Sequence, residues 1–389
     1  MYYVGIDIAK FKHAVFIQDD NGEVINKGEY FDNSSQGFNK ILTILKSLDQ
    51  SQTIKIGLEA TSHYHMNLIS FLQRNNYTVC ELNPYLVKQY KDSITLRNNK
   101  NDFFDSYIIS SYLVSNNCKP YPKEFYHVYA LKSLTRSRDS LVKERTKKQI
   151  QLTNILDIIF PEFKPFFSKP FCKTSMYILK KYKTPNHIAN MTIESYNNMK
   201  KEIKGTISYS RFMELKILAK NTIGFYDDIY LSLLSSTLAL YDELNNQIDK
   251  IDQQIKQEVL AINPKMLTIK GFGFVTAAII VAEFNNFVGF NSWSKCLAYA
   301  GIEPGRYQSG QIDHNLPMVK HGSGYLRHAL MYGTFSLLSH LPTLYDYYLK
   351  KRDEGKSHYV ALSHCAKKML RVIFCLEKNH KDFDVALFR

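Results

Sequence analysis

The order of hydrophobic patterns in the first 82 residues restricts the fold more than any other feature of this chain. Apolar runs at 2–9 and 13–18 have the length of strands, and the hairpin turn Asp20-Asn21-Gly22 leads into a third strand over 23–31. A helix is predicted from Ser35 to Leu48. Strand, helix and strand are then predicted over 53–58, 64–75 and 77–82. Three antiparallel strands followed by alternating helices and strands predict an α/β domain.

With 389 residues the chain is too long for one small core, so two or three domains are expected. The order of elements in the first domain, which we place at residues 1–125, is that of an RNase H-like fold. We interpret Asn83-Pro84 as the turn that closes its last strand. A helical, coiled-coil region is expected over 126–262, because Ile262-Asn263-Pro264 breaks a long helix. A mainly α-helical third domain is expected over 263–389.

Four acidic residues of the first domain are candidates for a metal site. Asp7 lies within a short apolar strand and Glu59 at the end of another, where burying a carboxylate is costly unless it is paired or binds a cation. Asp102 and Asp105 are three residues apart, on one face of a predicted helix. Carboxylates suit Mg²⁺ or Mn²⁺, so the set predicts a metal centre for phosphoryl transfer. A capping or surface role is the alternative for any single acid, and Asp102 can be the N-cap of its helix.

The net charge of the chain favours a polyanionic partner. Its 50 Lys and Arg residues outnumber 36 Asp and Glu residues and give a formal charge of +14. Proteins with such an excess bind DNA or RNA more readily than neutral chains do. The charge alone does not distinguish a nucleic-acid enzyme from a nonenzymatic scaffold that binds nucleic acid.

Cysteine spacing and hydropathy exclude several other classes of protein. The six cysteines are scattered, with no Cys-x-x-Cys pair and no zinc-finger spacing, so reduced thiols are expected. The N-terminus begins a strand without the charged start and apolar stretch of a signal peptide, and no segment has 18 uninterrupted apolar residues. We therefore expect a soluble, cytoplasmic protein without a membrane partner.

Two long helices are predicted in the middle region. The first, over 132–159, has six basic residues within thirteen positions against two acids, which predicts contact with a nucleic-acid backbone. These residues are Arg136, Arg138, Lys143, Arg145, Lys147 and Lys148. A solvated helix face is the alternative. The second helix, over 231–260, repeats apolar residues at alternating spacings of three and four, which predicts an antiparallel helical hairpin or an intersubunit coiled coil. Short helices joined by turns are expected over 160–230.

The last third of the chain contains two candidate phosphate-handling features. Gly271 and Gly273 beside a helix start resemble a helix-hairpin-helix turn, whose backbone N–H groups can hold a phosphate, although a plain tight turn is the alternative. Ser309 is expected in a loop, with Arg306 nearby. A serine hydroxyl is a nucleophile only where a base, a metal or a positive site assists it, and Ser309 by itself is more typical of a turn. Ser323 is the alternative nucleophile, at the start of a basic helix that contains Arg327.

Together these motifs resemble the DEDD insertion-sequence transposases, which are described as bridge-RNA-guided serine recombinases. The similarity extends over nearly the whole chain, and its specificity comes from the order and spacing of the motifs. The matching segments are Gly5-Ile6-Asp7-Ile8-Ala9-Lys10, Leu58-Glu59-Ala60-Thr61, Lys100-Asn101-Asp102-Phe103-Phe104-Asp105, Gly271-Phe272-Gly273, Leu297-Ala298-Tyr299-Ala300-Gly301-Ile302-Glu303-Pro304 and Gln308-Ser309-Gly310.

The resemblance implies a RuvC-like N-terminal domain joined to a C-terminal transposase domain. It implies that Asp7, Glu59, Asp102 and Asp105 carry a four-acid Mg²⁺ site. It also implies that Ser309 attacks a DNA phosphodiester and leaves a covalent phosphoserine. Arg306 and Arg327 are then expected to contact nucleic acid along with the basic helix.

The partners that the resemblance implies are donor and target DNA, a noncoding bridge RNA and further copies of the chain in a homodimer or homotetramer. Such a protein is expected in the bacterial cytoplasm, associated with the nucleoid. Two other enzymes remain as alternatives: a site-specific DNA invertase without a guide RNA, and a RuvC-like junction nuclease that uses water as its nucleophile.

Overall fold

A mixed five-stranded sheet forms the centre of the N-terminal unit. The computed structural model describes residues 1–59, 63–95, 101–116, 118, 120, 125–203, 207–225, 227–309, 312–320 and 322–388, and divides into the units Met1–Tyr126 and His127–Arg389. The first unit contains β1 (Tyr2–Asp7), β2 (Lys12–Asp19), β3 (Val24–Asp32), α1 (Ser35–Ser47), β4 (Ile54–Glu59), α2 (His65–Arg74), β5 (Thr78–Leu82), α3 (Pro84–Ile94) and α4 (Asp102–Ser115). The strand order is β3-β2-β1-β4-β5, with antiparallel pairs on the β3 side of β1 and parallel pairs on the β5 side. The predicted α/β character of this region is confirmed.

Alternating side chains of the central strands face a hydrophobic core. Val4 and Ile6 of β1 and Ile56 and Leu58 of β4 are buried in one cluster with apolar residues of α1 and α2. The residues between them point to the opposite face of the sheet, because successive strand side chains alternate in direction. The predicted turn after β2 is also present, since Asp19 Oδ1 accepts hydrogen bonds from the backbone N–H groups that follow it.

Asn83-Pro84 begins a helix, which differs from the closing turn that we expected. The Asn83 side chain accepts a hydrogen bond from Tyr85 N at 2.9 Å, and Pro84 occupies the first turn of α3. The Asn side chain at the N-cap accepts a hydrogen bond from an otherwise unpaired N–H of the first turn, and Pro at the first helical position has no N–H to be satisfied. The same dipeptide therefore ends β5 and starts α3.

The second unit is mainly α-helical, and its first helix begins two residues before the unit boundary. It contains α5 (Phe125–Ile159), α6 (Phe163–Phe166), α7 (Lys173–Tyr182), α8 (Pro185–Ala189), α9 (Ile193–Glu202), α10 (Tyr209–Lys220), α11 (Asp228–Ile262), α12 (Phe274–Phe284), α13 (Trp293–Ala300), β6 (Pro304–Ser309), β7 (Ile312–Met318), α14 (Gly324–Leu338), α15 (Pro342–Asp353) and α16 (His358–Asn379). Short 3₁₀ turns lie at Lys265–Thr268 and Val385–Leu387. The helical character predicted for the middle and last regions is confirmed, and the hairpin of β6 and β7 was not predicted.

The long helices α5 and α11 lie side by side in antiparallel directions. Arg138 bonds to Asp252, Arg145 donates to Asn245 at 3.2 Å, and Gln149 donates to Tyr241 at 3.3 Å. Partner numbers on α11 fall as residue numbers on α5 rise, which only an antiparallel pair allows. The apolar repeat predicted for α11 is largely buried within one chain, at Leu234, Leu238, Tyr241, Ile248, Ile255 and Val259.

The helical pair joins two hydrophobic cores. Leu152 of α5 and Leu234 of α11 belong to a core completed by α6 to α10. Leu131, Ile255 and Val259 belong to a second core completed by α12 to α16. The boundary that we predict near 262 falls where α11 ends, while residues on both sides of it share this second core.

Two further sequence predictions concern thiols and membranes. The six cysteines are free, and Cys80, Cys296 and Cys365 are buried. Burial raises the pKa of the Cys80 thiol to about 11. Within the described residues, every helix is too short or too polar to serve as a membrane span.

Candidate functional site

Three of the four predicted acids line one cavity of the N-terminal unit. Asp7 at the end of β1, Glu59 at the end of β4 and Asp105 in the first turn of α4 border a space of about 440 Å³. The remaining wall comes mostly from α3, with Pro84, Tyr85, Val87, Lys88, Lys91, Asp92 and also Ile108 of α4. Residues nearly a hundred positions apart in the chain thus border the same space.

The sheet places Asp7 and Glu59 side by side. β1 and β4 are parallel, with Ile6 opposite Leu58, so the next residue on each strand is one of the two acids. The carboxyl ends of adjacent parallel strands lie at the same edge of a sheet, which is where α/β folds bind ligands. Both acids belong to the sheet face opposite the core that buries Ile6 and Leu58.

Two glycines bring α4 close to this sheet face. Gly5 and Gly57 are partners in the register of β1 and β4. A Cβ atom on Gly5 would lie 2.0 Å from the carbonyl oxygen of Ser106, and one on Gly57 would lie 2.6 Å from Leu113. The Ser110 hydroxyl also donates to Tyr3 O at 3.0 Å. This close approach places the first turn of α4, with Asp105, beside the strand ends.

The charges in the cavity influence one another. Burial raises the pKa of Glu59, the nearby negative charge of Asp105 raises it further, and the positive charge of Lys91 opposes both effects. The Lys91 ammonium forms an ion pair with Asp105 Oδ1, and each side chain of this pair is 25% exposed. The same ammonium lies 5.6 Å from the centre of the Phe104 ring. A cation of this chain therefore already contacts one of the predicted metal ligands.

Asp102 lies one helical turn before Asp105 but has a different neighbour. Asn101 caps α4 by accepting a hydrogen bond from Phe103 N at 3.0 Å, so Asp102 is the first helical residue and not the N-cap. Burial raises the pKa of Tyr30, and the charge and hydrogen bonding of Asp102 and the charge of Asp7 raise it further. Asp102 is therefore close to Tyr30 of β3, and it is not among the residues that line the cavity.

The donor atoms suit a hard divalent cation. The cavity is bordered by the carboxylates of Asp7, Glu59, Asp92 and Asp105 and by the ammonium groups of Lys88 and Lys91, which leaves an excess of negative charge. Carboxylate oxygens are the ligands that Mg²⁺ and Mn²⁺ prefer. In the part of the chain that the structure describes, however, no three His, Cys, Asp or Glu side chains are grouped closely enough to hold a metal ion.

Three of the six predicted basic residues of α5 bond to partners within the same unit. Arg136 donates to Glu283 of α12 at 3.1 Å, Arg138 pairs with Asp252 and Arg145 bonds to Asn245. Glu283 is almost fully buried, at 2% exposure, and Lys132 provides a second positive charge 3.8 Å from it. These arginines attach α5 to its neighbours.

The lysines of α5 are oriented differently. The Lys143 and Lys147 side chains are 65% and 66% exposed, and their ion pairs among the described residues are with neighbouring acids on α5, Asp139 and Glu144 respectively. The Lys143 ammonium also lies 5.7 Å from the centre of the Tyr325 ring of α14. Lys148 donates to Gln151 at 3.0 Å. Exposed lysines with short-range partners on the same helix can exchange them for phosphates. The nucleic-acid prediction therefore concerns the lysines more directly than the arginines.

Ser309 is the last residue of β6, where we had expected a loop. Its backbone pairs with Ile312 of β7, and Arg306 pairs with Asn315 further along the hairpin. The side chains of Ser309 and Arg306 lie outside the described part of the structure. The hairpin was missed because its strands are mostly polar and lack the alternation that identifies a half-buried strand.

The other candidates of the last third have structural contacts. Ser323 caps α14 by accepting a hydrogen bond from Leu326 N at 3.3 Å. Arg327 donates to the carbonyl oxygens of Ala300 and Gly322 at 3.2 and 2.7 Å. Both residues thus secure the backbone around the hairpin.

The predicted phosphate-binding turn is packed against α14. Gly271 has a positive φ of 97°, and a Cβ atom there would lie 2.8 Å from the His340 ring. Its carbonyl oxygen accepts a hydrogen bond from Ser336 at 3.4 Å. Gly273 immediately precedes α12 as its N-cap. The positive φ and the close approach of His340 explain why glycine occupies position 271 in a tight turn.

Lys91 is the site residue that sequence reasoning missed. It lies on α3, which was not predicted because Asn83-Pro84 was interpreted as a closing turn. The Asn-Pro pair followed by Tyr85, Leu86 and Val87 is a helix-start signal that could have identified α3. A helix after β5 would have placed Lys88 and Lys91 at the edge of the sheet where the acids lie.

Comparisons with known proteins cover most of the chain. A family model described as a DEDD transposase of the IS110 type matches residues 4–161, and a second, described as a transposase of the IS116/IS110/IS902 family, matches residues 263–349. A protein of insertion element IS116 from Streptomyces clavuligerus is 20% identical over 99% of this chain and 96% of its own length. A mini-circle protein of IS117 from Streptomyces coelicolor, which is named as a transposase, is 23% identical over 98% of this chain and 95% of its own length.

Proposed function

Because the chain belongs to the IS110 family of insertion-sequence transposases, we propose that it cuts and rejoins DNA through Ser309 and a carboxylate-bound Mg²⁺ or Mn²⁺ site. The observation that carries this proposal is the arrangement of Asp7, Glu59 and Asp105 around one cavity, with Asp102 one turn away on α4. We also propose that the α/β unit has a RuvC-like fold and that α5 and α11 form a coiled coil.

In this proposal Asp7, Glu59 and Asp105 would hold the metal at the cavity, and Asp102, one helical turn away on α4, is the fourth acid of the proposed set. Bound there, a divalent cation would stabilise the negative charge that develops on the phosphate oxygens during phosphoryl transfer. The residues themselves contribute oxygen donors at the ends of two parallel strands and one helix, held in place by the Gly5 and Gly57 contact with α4. Burial raises the pKa of Glu59 because it disfavours the charged form of the carboxyl, and a bound cation would offset that cost.

Ser309 would supply the nucleophile. Its Oγ forms a bond to phosphorus while a sugar oxygen leaves, and the proton lost by the serine is balanced by the proton gained at the sugar hydroxyl. In the reverse step a sugar hydroxyl attacks the phosphoserine, so strands are exchanged without net hydrolysis. The match of residues 263–349, which include Ser309, to the IS116/IS110/IS902 transposase family supports this role.

The proposed partners are donor and target DNA, a noncoding bridge RNA and other copies of the chain in a dimer or tetramer. The net charge of +14 and the exposed lysines of α5 support binding of nucleic acid. The relatives' names refer to insertion elements, which favours transposition over the DNA-invertase alternative. A junction nuclease that uses water remains the alternative for the acidic site alone.

A covalent-adduct assay tests the nucleophile. The full-length protein is incubated with Mg²⁺, copurified RNA and DNA that spans the junctions of its own element, and denaturing gels reveal protein joined to DNA. We expect Ser309→Ala to abolish the adduct while DNA binding persists, and Ser323→Ala to retain it because Ser323 caps α14. An adduct in the Ser309→Ala protein would assign the nucleophile to another residue.

The same assay tests the acids. Asp7→Ala and Asp105→Ala should each stop strand cleavage in Mg²⁺ while the circular dichroism spectrum remains that of the folded protein. Asp20→Ala, on the exposed turn after β2, is the matched control and should cleave normally. Full cleavage by either site variant would contradict the proposed metal chemistry.

A further inference from the structure

Lys91 is placed where a metal ion would have to compete with it. It projects from α3 into the cavity bordered by Asp7, Glu59 and Asp105, and its ammonium contacts Asp105 Oδ1. Both members of this ion pair are three-quarters buried. The Phe104 ring, 5.6 Å from the ammonium, forms an additional favourable contact for a cation at this position.

An ammonium and a divalent cation make opposing demands on the same oxygens. A carboxylate oxygen that accepts a hydrogen bond from Lys Nζ uses a lone pair that a metal ion would need. Two positive charges a few ångströms apart in a half-buried cavity also repel each other. Asp105 can therefore bind its lysine or a metal ion more easily than both together.

We propose that Lys91 is the resident counter-ion of the acidic cavity and leaves Asp105 when a divalent cation binds. This inference rests on the proposed metal site and adds a step that precedes catalysis. The exchange breaks no covalent bond and leaves the proton on the lysine, because only the partner of the ammonium changes. Rotation of the four-carbon Lys91 side chain is sufficient for it.

Lys88 is a built-in control for this exchange. It lies one turn earlier on α3 and lines the same cavity. The structure gives it no ion pair among the described residues, and it is exposed. Replacing either lysine by glutamine removes the same charge from the same helix, so a difference between the two variants reports on the Asp105 contact.

Amine labelling of the wild-type protein tests the displacement directly. The full-length chain is treated with a limiting amount of an acetylating reagent, with and without Mn²⁺, and acetylation of each lysine is quantified by mass spectrometry. We expect Mn²⁺ to increase the labelling of Lys91 several-fold while the labelling of Lys88 stays constant. Labelling of Lys91 that does not respond to Mn²⁺, in a protein that calorimetry shows to bind the ion, would overturn the inference and leave the metal site intact.

Titrations with Mn²⁺ provide the second measurement. The Lys91→Gln protein should bind Mn²⁺ about fivefold to tenfold more tightly than wild type, since a competing ion pair of ordinary strength has been removed. The Lys88→Gln protein should change by less than about threefold, as expected for removal of a screened charge. Equal gains in both variants would contradict a specific role of Lys91. A failure of wild type and both variants to bind Mn²⁺ would overturn the metal site together with this inference.

Discussion

Gly5 of β1 lies directly opposite Gly57 of β4 in the parallel register, and together they form the part of the sheet against which α4 packs. Neither residue has a side chain, so the helix backbone approaches the strands closely. The two glycines differ in what they face. A Cβ atom on Gly5 would meet backbone atoms of Ser106 and Ser110, whereas one on Gly57 would meet the end of the Leu113 side chain.

This difference predicts unequal effects of alanine at the two positions. Gly5→Ala should lower the free energy of unfolding by about 2 kcal/mol or more, because helix backbone must move away from the sheet. Gly57→Ala should cost less, since the Leu113 side chain can rotate. Urea denaturation of both variants measures the two values, and Mn²⁺ titration shows whether moving α4 also weakens the site. A larger loss of stability in Gly57→Ala would contradict this account of the packing.

The three lysines of α5 that bond to neighbouring residues of the same helix should contribute to nucleic-acid binding. Replacing Lys143, Lys147 and Lys148 together by glutamine should weaken binding to DNA and flatten its dependence on salt, by roughly 0.9 in the log–log slope for each phosphate that is no longer neutralised. Filter binding at several salt concentrations measures this slope. An unchanged slope would mean that these lysines do not contact the phosphate backbone.

Arginines of the same helix should behave differently. Arg138→Gln should reduce thermal stability, because it leaves Asp252 of α11 without its guanidinium partner. Its effect on the salt slope should be small in the folded protein. Differential scanning fluorimetry measures the change in stability, and the same binding assay measures the salt slope. A normal melting temperature with a flattened slope would instead assign Arg138 to contact with nucleic acid.

A buried histidine should make the stability of the first unit depend on pH. Burial lowers the pKa of His13 from its ordinary value of 6.5, and a weaker contribution from Asn33 opposes this. Below pH 6.5 the unfolded chain therefore takes up a proton that the folded chain resists, so the free energy of unfolding falls as pH decreases. This contribution is fully present above the unfolded-state pKa and is lost as pH falls through the lowered folded-state value.

The variant His13→Gln should reduce this dependence. Glutamine does not titrate, and it can still accept the hydrogen bond that His13 Nδ1 receives from Ala9 N. Denaturant unfolding at pH 7 and pH 5 should show a smaller difference in the variant than in wild type. Equal differences in wild type and His13→Gln would assign the pH dependence to other groups.

RNA that copurifies with the protein should contain a structured noncoding transcript from the flank of its own gene. The expectation follows from the proposed guide RNA and from the positive charge of the chain. Sequencing of the bound RNA, with the triple lysine variant as a comparison, measures its enrichment. Recovery of unselected cellular RNA alone would favour the invertase without a guide.

Periodicity in the sequence was sufficient to predict the sheet and the long helices. Val4, Ile6, Ile56 and Leu58 alternate with residues of the opposite face, and the apolar repeat of α11 is long enough to distinguish a helix from a strand. The hairpin that contains Ser309 lacks such a pattern, since its strands are mostly polar. Its existence depends on backbone pairing, which side-chain periodicity does not reveal.

Of the residues at the candidate site, only the acids could be predicted from the sequence. Asp7 and Glu59 stand out because each adjoins an apolar strand, and carboxylates are rarely buried unless they are paired. Lys91 does not stand out among the many lysines of this chain, and only the packing of α3 beside the strand ends gives it a role. Likewise, the internal partners of Arg136 and Arg138 lie more than a hundred residues away, so a local charge count assigned these arginines to a nucleic-acid backbone.

The antiparallel pairing of α5 with α11 has a consequence for how such chains can change in length. Each helix has 35 residues. One inserted residue would rotate the rest of the helix by about 100°, so that its apolar residues beyond the insertion would no longer face the hydrophobic core. An insertion in one helix therefore requires a compensating insertion in the other, far along the chain. Homologues with a longer or shorter pair are expected to differ by whole turns in both helices together.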